Sequence, residues 1–147
     1  MNVLLIYKSY HHGNTEKIAR AMAEAPGVTA VDVSQARALE LSDYDLIGFG
    51  SGLYMGGFHA DIDAFIDAAD LEGKRTFLVL TSGSGLKRPE KTVRQLEAKG
   101  ADLVGHFSCK GYDTFGPFKL VGGIAKGHPN DKDIADAKAF IQKLLQA

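Results

Sequence analysis

The sequence is short of several residue types, and each scarcity excludes a class of protein. It has one cysteine, Cys109, in 147 residues, which rules out an intramolecular disulfide framework and fits a reducing compartment. Tryptophan is absent. The apolar run near the N-terminus, Val3 to Tyr7, is too short for a signal-peptide core or a membrane span. We therefore expect a cytoplasmic protein that does not bind to membranes.

The charge balance excludes a further class. Lysine and arginine total 17 and aspartate and glutamate total 18, so the formal net charge is -1. A general nucleic-acid binder carries a strong positive excess, so we expect none here. The five histidines lack His-x-x-x-His or cysteine-paired spacing, so we expect no metal site. With 45% hydrophobic residues the chain can build one core, and residues 1–147 are interpreted as one domain.

What is present is a series of short apolar runs. Those at 3–7, 46–49, 77–80 and 103–105 are unbroken, as expected of strands buried on both faces. Residues 28–33 alternate between apolar and polar, which predicts a half-exposed edge strand. Helical spacing of apolar residues follows the runs, and Asn130 with Asp133 predicts the N-cap of the last helix.

This alternation of strands and helices predicts the fold class. It implies right-handed βαβ units, and hence an α/β fold with an open, doubly wound, five-stranded parallel sheet and helices on both faces. Five strands are too few for an eight-stranded barrel. In open sheets of this kind a ligand binds beyond the carboxyl ends of the strands.

The loops expected at those carboxyl ends are rich in glycine and hydroxyl side chains. Residues 9–15 read Ser-Tyr-His-His-Gly-Asn-Thr directly before a helix, whose N-terminal N–H groups suit a phosphate. This is not a P-loop, because no Gly-Lys-Ser/Thr follows. Two further glycine-rich loops, at 50–58 and 81–86, suit a flat ring held between backbone segments. An ordinary helix cap and tight turns remain the alternative.

These motifs together resemble the flavodoxins over nearly the whole chain. The resemblance is carried by Ser-x-x-x-Gly-Asn-Thr after the first strand and Gly-Ser-x-x-Tyr-x-Gly after the third. It implies a sheet of order 2-1-3-4-5 and a non-covalently bound FMN. In that family the first loop holds the FMN phosphate, and the loops after strands three and four flank the isoalloxazine ring.

Carried over by position, the resemblance implies three groups of cofactor-binding residues. The phosphate segment (residues 9–15) comprises Ser9, Tyr10, His11, His12, Gly13, Asn14 and Thr15. The first wall (residues 51–57) comprises Ser51, Gly52, Leu53, Tyr54, Met55, Gly56 and Gly57. The second wall (residues 81–85) comprises Thr81, Ser82, Gly83, Ser84 and Gly85. In the absence of tryptophan, Tyr54 or Tyr112 is expected to stack on the ring.

The chain also departs from the family. Its first loop is one residue longer than usual, and its net charge is near neutral where most electron-carrying flavodoxins are strongly acidic. The resemblance implies an electron carrier, monomeric or weakly dimeric, that moves electrons between a reductase and an acceptor protein. No catalytic side chain is needed, because the chemistry belongs to the flavin. The alternative is an FMN-dependent oxidoreductase on the same scaffold, acting on a quinone or protoporphyrinogen.

Two expectations concern the surroundings of the ring. In flavodoxins the backbone of the first wall turns a carbonyl toward N5 of the reduced ring, and Gly56 and Gly57 suit that movement in a site without a nearby cation. Cys109, at the end of the fifth strand, is expected to pack in the interior. The segment 110–126 is expected either to close over the ring or to pack for its own sake.

Overall fold

Five strands pair in parallel to form one sheet in the computed structural model, which describes residues 1–9, 13–83, 88–111 and 127–147. The strands are β1 (Val3–Tyr7), β2 (Val28–Asp32), β3 (Leu46–Gly52), β4 (Arg75–Ser82) and β5 (Asp102–Lys110). Their order is β2-β1-β3-β4-β5, as the resemblance implied. The predicted fold class and strand order are therefore confirmed.

Helices connect the strands and cover both faces of the sheet. They are α1 (Asn14–Met22), α2 (Val33–Ala36), α3 (Ala60–Ala68), α4 (Glu90–Ala98) and α5 (Asp131–Leu145), with a 3-10 turn at Leu41–Asp43. The predicted cap of α5 is confirmed, since Asn130 and Asp133 form a reciprocal capping box. None of the helices in the described ranges has the length and apolar content that a membrane span requires.

The interior consists of one apolar layer on each face of the sheet. Side chains of β1 alternate between the layers: Leu5 belongs to the layer that includes residues of α1 and α5, whereas Leu4 and Ile6 belong to the layer that includes residues of α2, α3 and α4. All five residues of β1 are buried. Burial on both faces explains why this strand reads as a continuous apolar run.

The sequence was misleading at both edges of the sheet. Val33, expected at the end of β2, begins α2 instead, because the Asp32 side chain accepts the Ser34 N–H at 2.9 Å and caps that helix. Leu103, Val104 and Gly105, expected to be buried on both faces, are only partly buried. They lie in β5, an edge strand that has a neighbour on one side only.

Two strands are longer than their apolar runs predict. β3 extends through Gly50, Ser51 and Gly52, and β4 extends through Thr81 and Ser82, so five residues expected in loops are paired in the sheet. Small and hydroxyl-bearing residues obscure these strand ends in the sequence. Because β3 and β4 extend this far, parts of both predicted walls are fixed by the hydrogen bonds of the sheet.

Candidate functional site

The carboxyl edge of the sheet brings the three predicted segments together. Thr15, in the first turn of α1, and Thr81, at the end of β4, are separated by 66 residues, yet their hydroxyl oxygens lie 2.8 Å apart. Both residues are buried. A Cβ added to Gly50 would lie 3.3 Å from the Thr15 methyl carbon. The start of α1 therefore packs directly on β3 and β4.

The phosphate segment ends in a helix start that lacks its own side-chain cap. Gly13 occupies the N-cap position at φ 65°, a left-handed conformation that glycine adopts without strain. The Ser9 hydroxyl accepts the Glu16 N–H at 3.1 Å, and so satisfies one main-chain donor of the first turn. Main-chain donors and the positive end of the helix dipole are thereby directed toward this edge.

The first wall contains a tight two-residue hairpin. Tyr54 and Gly57 exchange both main-chain hydrogen bonds, at 2.7 and 3.1 Å, across Met55 and Gly56. Met55 has φ 51° and Gly56 has φ 84°, the pattern of a type I′ turn. The Met55 side chain is 99% exposed at the tip. This edge therefore presents an apolar side chain on a backbone conformation that methionine rarely adopts.

Polar contacts fix the base of this hairpin. The Ser51 hydroxyl donates to the Gly52 carbonyl at 2.7 Å and accepts the His59 N–H at 3.0 Å. His59 caps α3, since its Nδ1 accepts the Asp61 N–H at 3.0 Å, so the neutral ring carries its proton on Nε2. The Tyr54 ring meets the His59 ring edge-on, at 5.2 Å between centroids. The Ser51 hydroxyl thus serves the fold of the first wall.

Helix α4 contacts the other side of the hairpin. The Lys91 N–H donates to the Gly56 carbonyl at 3.3 Å, and the Phe58 N–H donates to the Thr92 hydroxyl at 3.0 Å. The carbons of the Lys91 side chain lie 3.1–3.4 Å from a Cβ added to Gly57. These contacts locate the aliphatic part of Lys91 and not its ammonium group, so the expectation of a site without a nearby cation stays a prediction. The carbonyls of both Gly56 and Gly57 already accept main-chain hydrogen bonds.

The end of β5 also reaches this edge. The Gly111 N–H donates to the Ser82 carbonyl at 3.2 Å, which extends the β4–β5 pairing. A Cβ added to Gly111 would lie 2.6 Å from Asn14 Nδ2, so any larger residue would displace the Asn14 side chain. Gly111 therefore allows β5 to approach the first turn of α1.

Two ionisable groups near the site have displaced pKa values. Burial raises the pKa of Asp63, which lies on α3 close enough to Lys91 for that charge to oppose the shift. Within the described ranges the buried Asp63 Oδ1 accepts no hydrogen bond. Burial also raises the pKa of the Cys109 thiol to about 12, with Asp133 and Asp136 adding to the effect. Cys109 packs against the interior as expected, and it stays protonated at neutral pH.

The structure locates most of the predicted cofactor residues at one edge. It brings together Ser9, Gly13, Asn14, Thr15, the whole first wall, Thr81, Ser82 and Gly83. Tyr10, His11, His12, Ser84, Gly85 and Tyr112 lie outside the described residues, as does most of the segment 110–126. Their assignment as cofactor residues stays a prediction. Among the described residues no group of three His, Cys, Asp or Glu side chains is placed to hold a metal ion.

Three residues at this edge were missed by the sequence analysis: His59, Lys91 and Thr92. His59 carries a detectable signal, because it directly precedes a helical segment and can cap it. Lys91 and Thr92 carry none, since their contacts join segments more than 30 residues apart in the chain. Only the packing of α4 against the hairpin and Phe58 reveals them.

Two surface grooves in the described part of the chain lie away from this edge. One, of about 530 Å³, lies between α1 and the start of α5 and includes Arg20 and Asn130. The other, of about 440 Å³, lies between α2 and α3 and includes Leu39 and Phe65. No predicted cofactor residue lines either groove.

The family and the fold of this chain are shared with known proteins. The model of a flavodoxin domain family matches residues 4–114. An uncharacterized protein of Methanocaldococcus jannaschii is 41% identical over 149 residues, with 99% of each chain covered. Among solved structures, a flavodoxin from the domain Archaea has a TM-score of 0.74 at 18% identity, covering 99% of this chain and 97% of that one. An NADPH-quinone reductase from P. pentosaceus has a TM-score of 0.65 at 17% identity, covering 98% and 97%.

The family match covers well over half of the chain, and its residues include all but the first residue of β1, together with α1, the two predicted walls and all of β5. The structural likenesses agree with it over nearly the full length, although at these identities they establish the fold alone. The chain belongs to the flavodoxin family.

Proposed function

We propose that this protein binds FMN without a covalent bond and uses it to transfer electrons. The observation that carries the proposal is the contact between Thr15 and Thr81, whose hydroxyl oxygens are 2.8 Å apart. It joins the phosphate segment to the second wall across the sheet. The segments predicted to hold a phosphate and a ring are therefore neighbours, which supports a ligand with a phosphate at one end and a flat ring at the other.

The residues of the phosphate segment fit the charged end of FMN. The first turn of α1 follows a glycine at the N-cap, so main-chain N–H groups face this edge with the positive end of the helix dipole behind them. Thr15 and Ser9 add hydroxyl groups. We expect Ser9, Gly13, Asn14 and Thr15 to hold the phosphate, with His12 as a further predicted contact.

The two walls fit the ring end. Met55 exposes 99% of its side chain at the tip of the hairpin, where a flat apolar ring would cover it. Tyr54 lies beside Gly52 and offers an aromatic surface. Thr81, Ser82 and Gly83 form the described part of the second wall on the neighbouring strand. The first wall is held by hydrogen bonds within the hairpin and by those from α4, so little ordering is needed when a ring binds.

When bound, FMN supplies the electron-accepting chemistry, and the chain's own residues bind and orient it. An electron carrier needs no nucleophilic side chain, because the chemistry belongs to the flavin. Electrons would enter and leave through the exposed side of the ring, from a reductase and to an acceptor protein. Asp61, in the first turn of α3, follows the first wall and lies 3.4 Å from Lys8 Nζ, and the part of its carboxylate left exposed would favour a partner with a basic docking face.

A second candidate is an FMN-dependent oxidoreductase that acts on a small substrate such as a quinone. The observation that favours it is the presence of proton-bearing groups around the hairpin. His59 packs against Tyr54, and Lys91 packs against Gly57. If the Lys91 ammonium group reaches the ring, it would favour negative charge on a fully reduced flavin, and hence transfer of two electrons together.

Stepwise reductive titration of the FMN-loaded protein separates the two candidates. A carrier is expected to take up its two electrons at well-separated potentials and to show no steady turnover with NADPH or a quinone. Uptake of both electrons at one potential, together with quinone turnover, would favour the enzyme. A purified protein that remains colourless after incubation with FMN would contradict both.

A further inference from the structure

The first turn of α4 forms hydrogen bonds with the end of the first wall and with Phe58, the residue that follows it. Phe58, which directly follows the hairpin, is buried, and its N–H donates to the hydroxyl of Thr92 at 3.0 Å. Thr92 itself is fully buried. The N–H of Lys91, the residue before Thr92, donates to the carbonyl of Gly56, two residues before Phe58, at 3.3 Å. The two segments are therefore joined by two hydrogen bonds and by the Lys91 side chain on Gly57.

These contacts satisfy groups that would otherwise be left buried or uncapped. Pro89 occupies the N-cap of α4 and forms no side-chain cap, so the Gly56 carbonyl acts as a main-chain cap for Lys91. A buried main-chain N–H without an acceptor is costly, and Thr92 provides that acceptor for Phe58. The hairpin and the helix thus stabilise each other.

The hairpin itself needs such support. Its tip holds Met55 at φ 51°, a conformation that a side chain beyond Cβ disfavours. A two-residue hairpin without a third strand is marginally stable in water. Its own two hydrogen bonds are those between Tyr54 and Gly57, and the outer side of Gly57 rests on Lys91. Contacts with α4 therefore decide where the exposed Met55 lies.

We propose that Thr92 is a positioning residue of the cofactor site, acting through Phe58 to hold the first wall in place for the ring. This inference rests on the proposed function and deepens it by assigning control of the ring end to α4. The Thr92 hydroxyl accepts its hydrogen bond from Phe58, which directly follows the first wall, and not from a described residue of the phosphate segment. Its loss should therefore weaken FMN and riboflavin by the same factor, because the two ligands share the ring.

The test compares Thr92→Val, which keeps the shape but removes the acceptor, with Thr92→Ser, which keeps the acceptor. Thr76→Val is the matched control, because Thr76 is equally buried and its hydroxyl donates to the Asp102 carbonyl at 3.2 Å, at the opposite end of β4. We expect Thr92→Val to weaken both flavins about tenfold, as one lost hydrogen bond would. Thr92→Ser and Thr76→Val should bind both flavins like the wild type.

Hydrogen exchange of the Phe58 amide gives a readout that does not depend on the flavin. It should accelerate in the cofactor-free Thr92→Val protein and not in Thr76→Val. Faster exchange with unchanged affinity for both flavins would overturn the positioning role alone. A wild-type protein that binds neither flavin would overturn the proposed function and this role with it.

A second pair of variants keeps the proposal testable if Thr92→Val does not fold. Lys91→Pro removes the main-chain donor to Gly56 at a first-turn position where proline is tolerated. Lys91→Ala keeps that donor and is its control. We expect the proline variant to bind both flavins several-fold more weakly than the alanine variant. Equal binding by the two variants would contradict the proposal that α4 positions the hairpin.

Discussion

The phosphate segment and the first wall differ in how they use their main-chain groups. At the start of α1, Gly13 provides no side-chain cap, and N–H donors point toward the carboxyl edge. In the hairpin at 54–57, by contrast, the main-chain groups of Tyr54 and Gly57 bond each other, and the Gly56 carbonyl bonds Lys91. The first arrangement attracts an anion, whereas the second provides a shaped surface.

The comparison assigns different contributions to the two regions. The phosphate segment should supply charge-dependent affinity, and the first wall should supply position for the ring. Substitutions in one region should therefore change its own contribution and leave that of the other region unchanged.

The largest effect is expected from the phosphate segment. Thr15→Val and Thr81→Val break the same 2.8 Å hydrogen bond, so both should lower the stability of the cofactor-free protein by about 1–2 kcal/mol. Only Thr15→Val removes a hydroxyl from the phosphate, and it should weaken FMN by a further 1–3 kcal/mol, roughly, while sparing riboflavin. Calorimetric titration with both flavins measures this difference. Equal losses of FMN affinity in the two variants would make Thr15 a structural residue only.

A smaller effect, with opposite signs for stability and binding, is expected at the hairpin tip. Met55→Asn creates the Asn-Gly pair that type I′ turns favour, and should stabilise the cofactor-free protein by about 0.5 kcal/mol. It also removes the exposed apolar side chain, so both flavins should bind more weakly. Thermal unfolding checks the gain in stability, and flavin titration checks the loss of affinity. A variant that gains stability and keeps full flavin affinity would show that Met55 does not contact the ring.

The smallest effect concerns Asp63, between the first wall and α4. Because burial raises the pKa of Asp63, the folded protein holds this proton more tightly than the unfolded chain does. The associated stability is present in acid and is lost as pH rises through the titration of the carboxyl group. Asp63→Asn should therefore be more stable than the wild type near neutral pH, and the two should converge in acid. Denaturant unfolding of both proteins from acid to neutral pH measures this difference in stability. A difference that does not depend on pH would contradict the raised pKa of Asp63.

The sequence was sufficient for the fold because buried strands and amphipathic helices leave periodic patterns. The run at Val3–Tyr7 and the capping pair Asn130 and Asp133 both predicted what the structure shows. The positions of the phosphate segment and walls followed from the rule that ligands lie beyond strand ends. The edges misled, since Leu103 and Val104 are as apolar as a buried strand although β5 has one neighbour only.

The finer features of the site could not be predicted, because they depend on contacts between distant segments. No local pattern indicates that Thr92 accepts the Phe58 N–H, or that Thr15 meets Thr81. The left-handed backbone at Met55 is equally invisible, since its residue type disfavours that conformation. These features arise where α4 and α1 pack on the sheet, which periodicity alone does not place.

The most direct test of the account is a pair of binding isotherms for the purified, cofactor-free wild type, one with FMN and one with riboflavin. The two ligands share the ring and differ in the phosphate, so the ratio of their dissociation constants reports on the phosphate segment alone. The account predicts that both bind and that FMN binds at least about a hundredfold more tightly, as two charge-assisted hydrogen bonds of about 1.5 kcal/mol each would give. Equal affinity for the two flavins, or binding of neither, would contradict it.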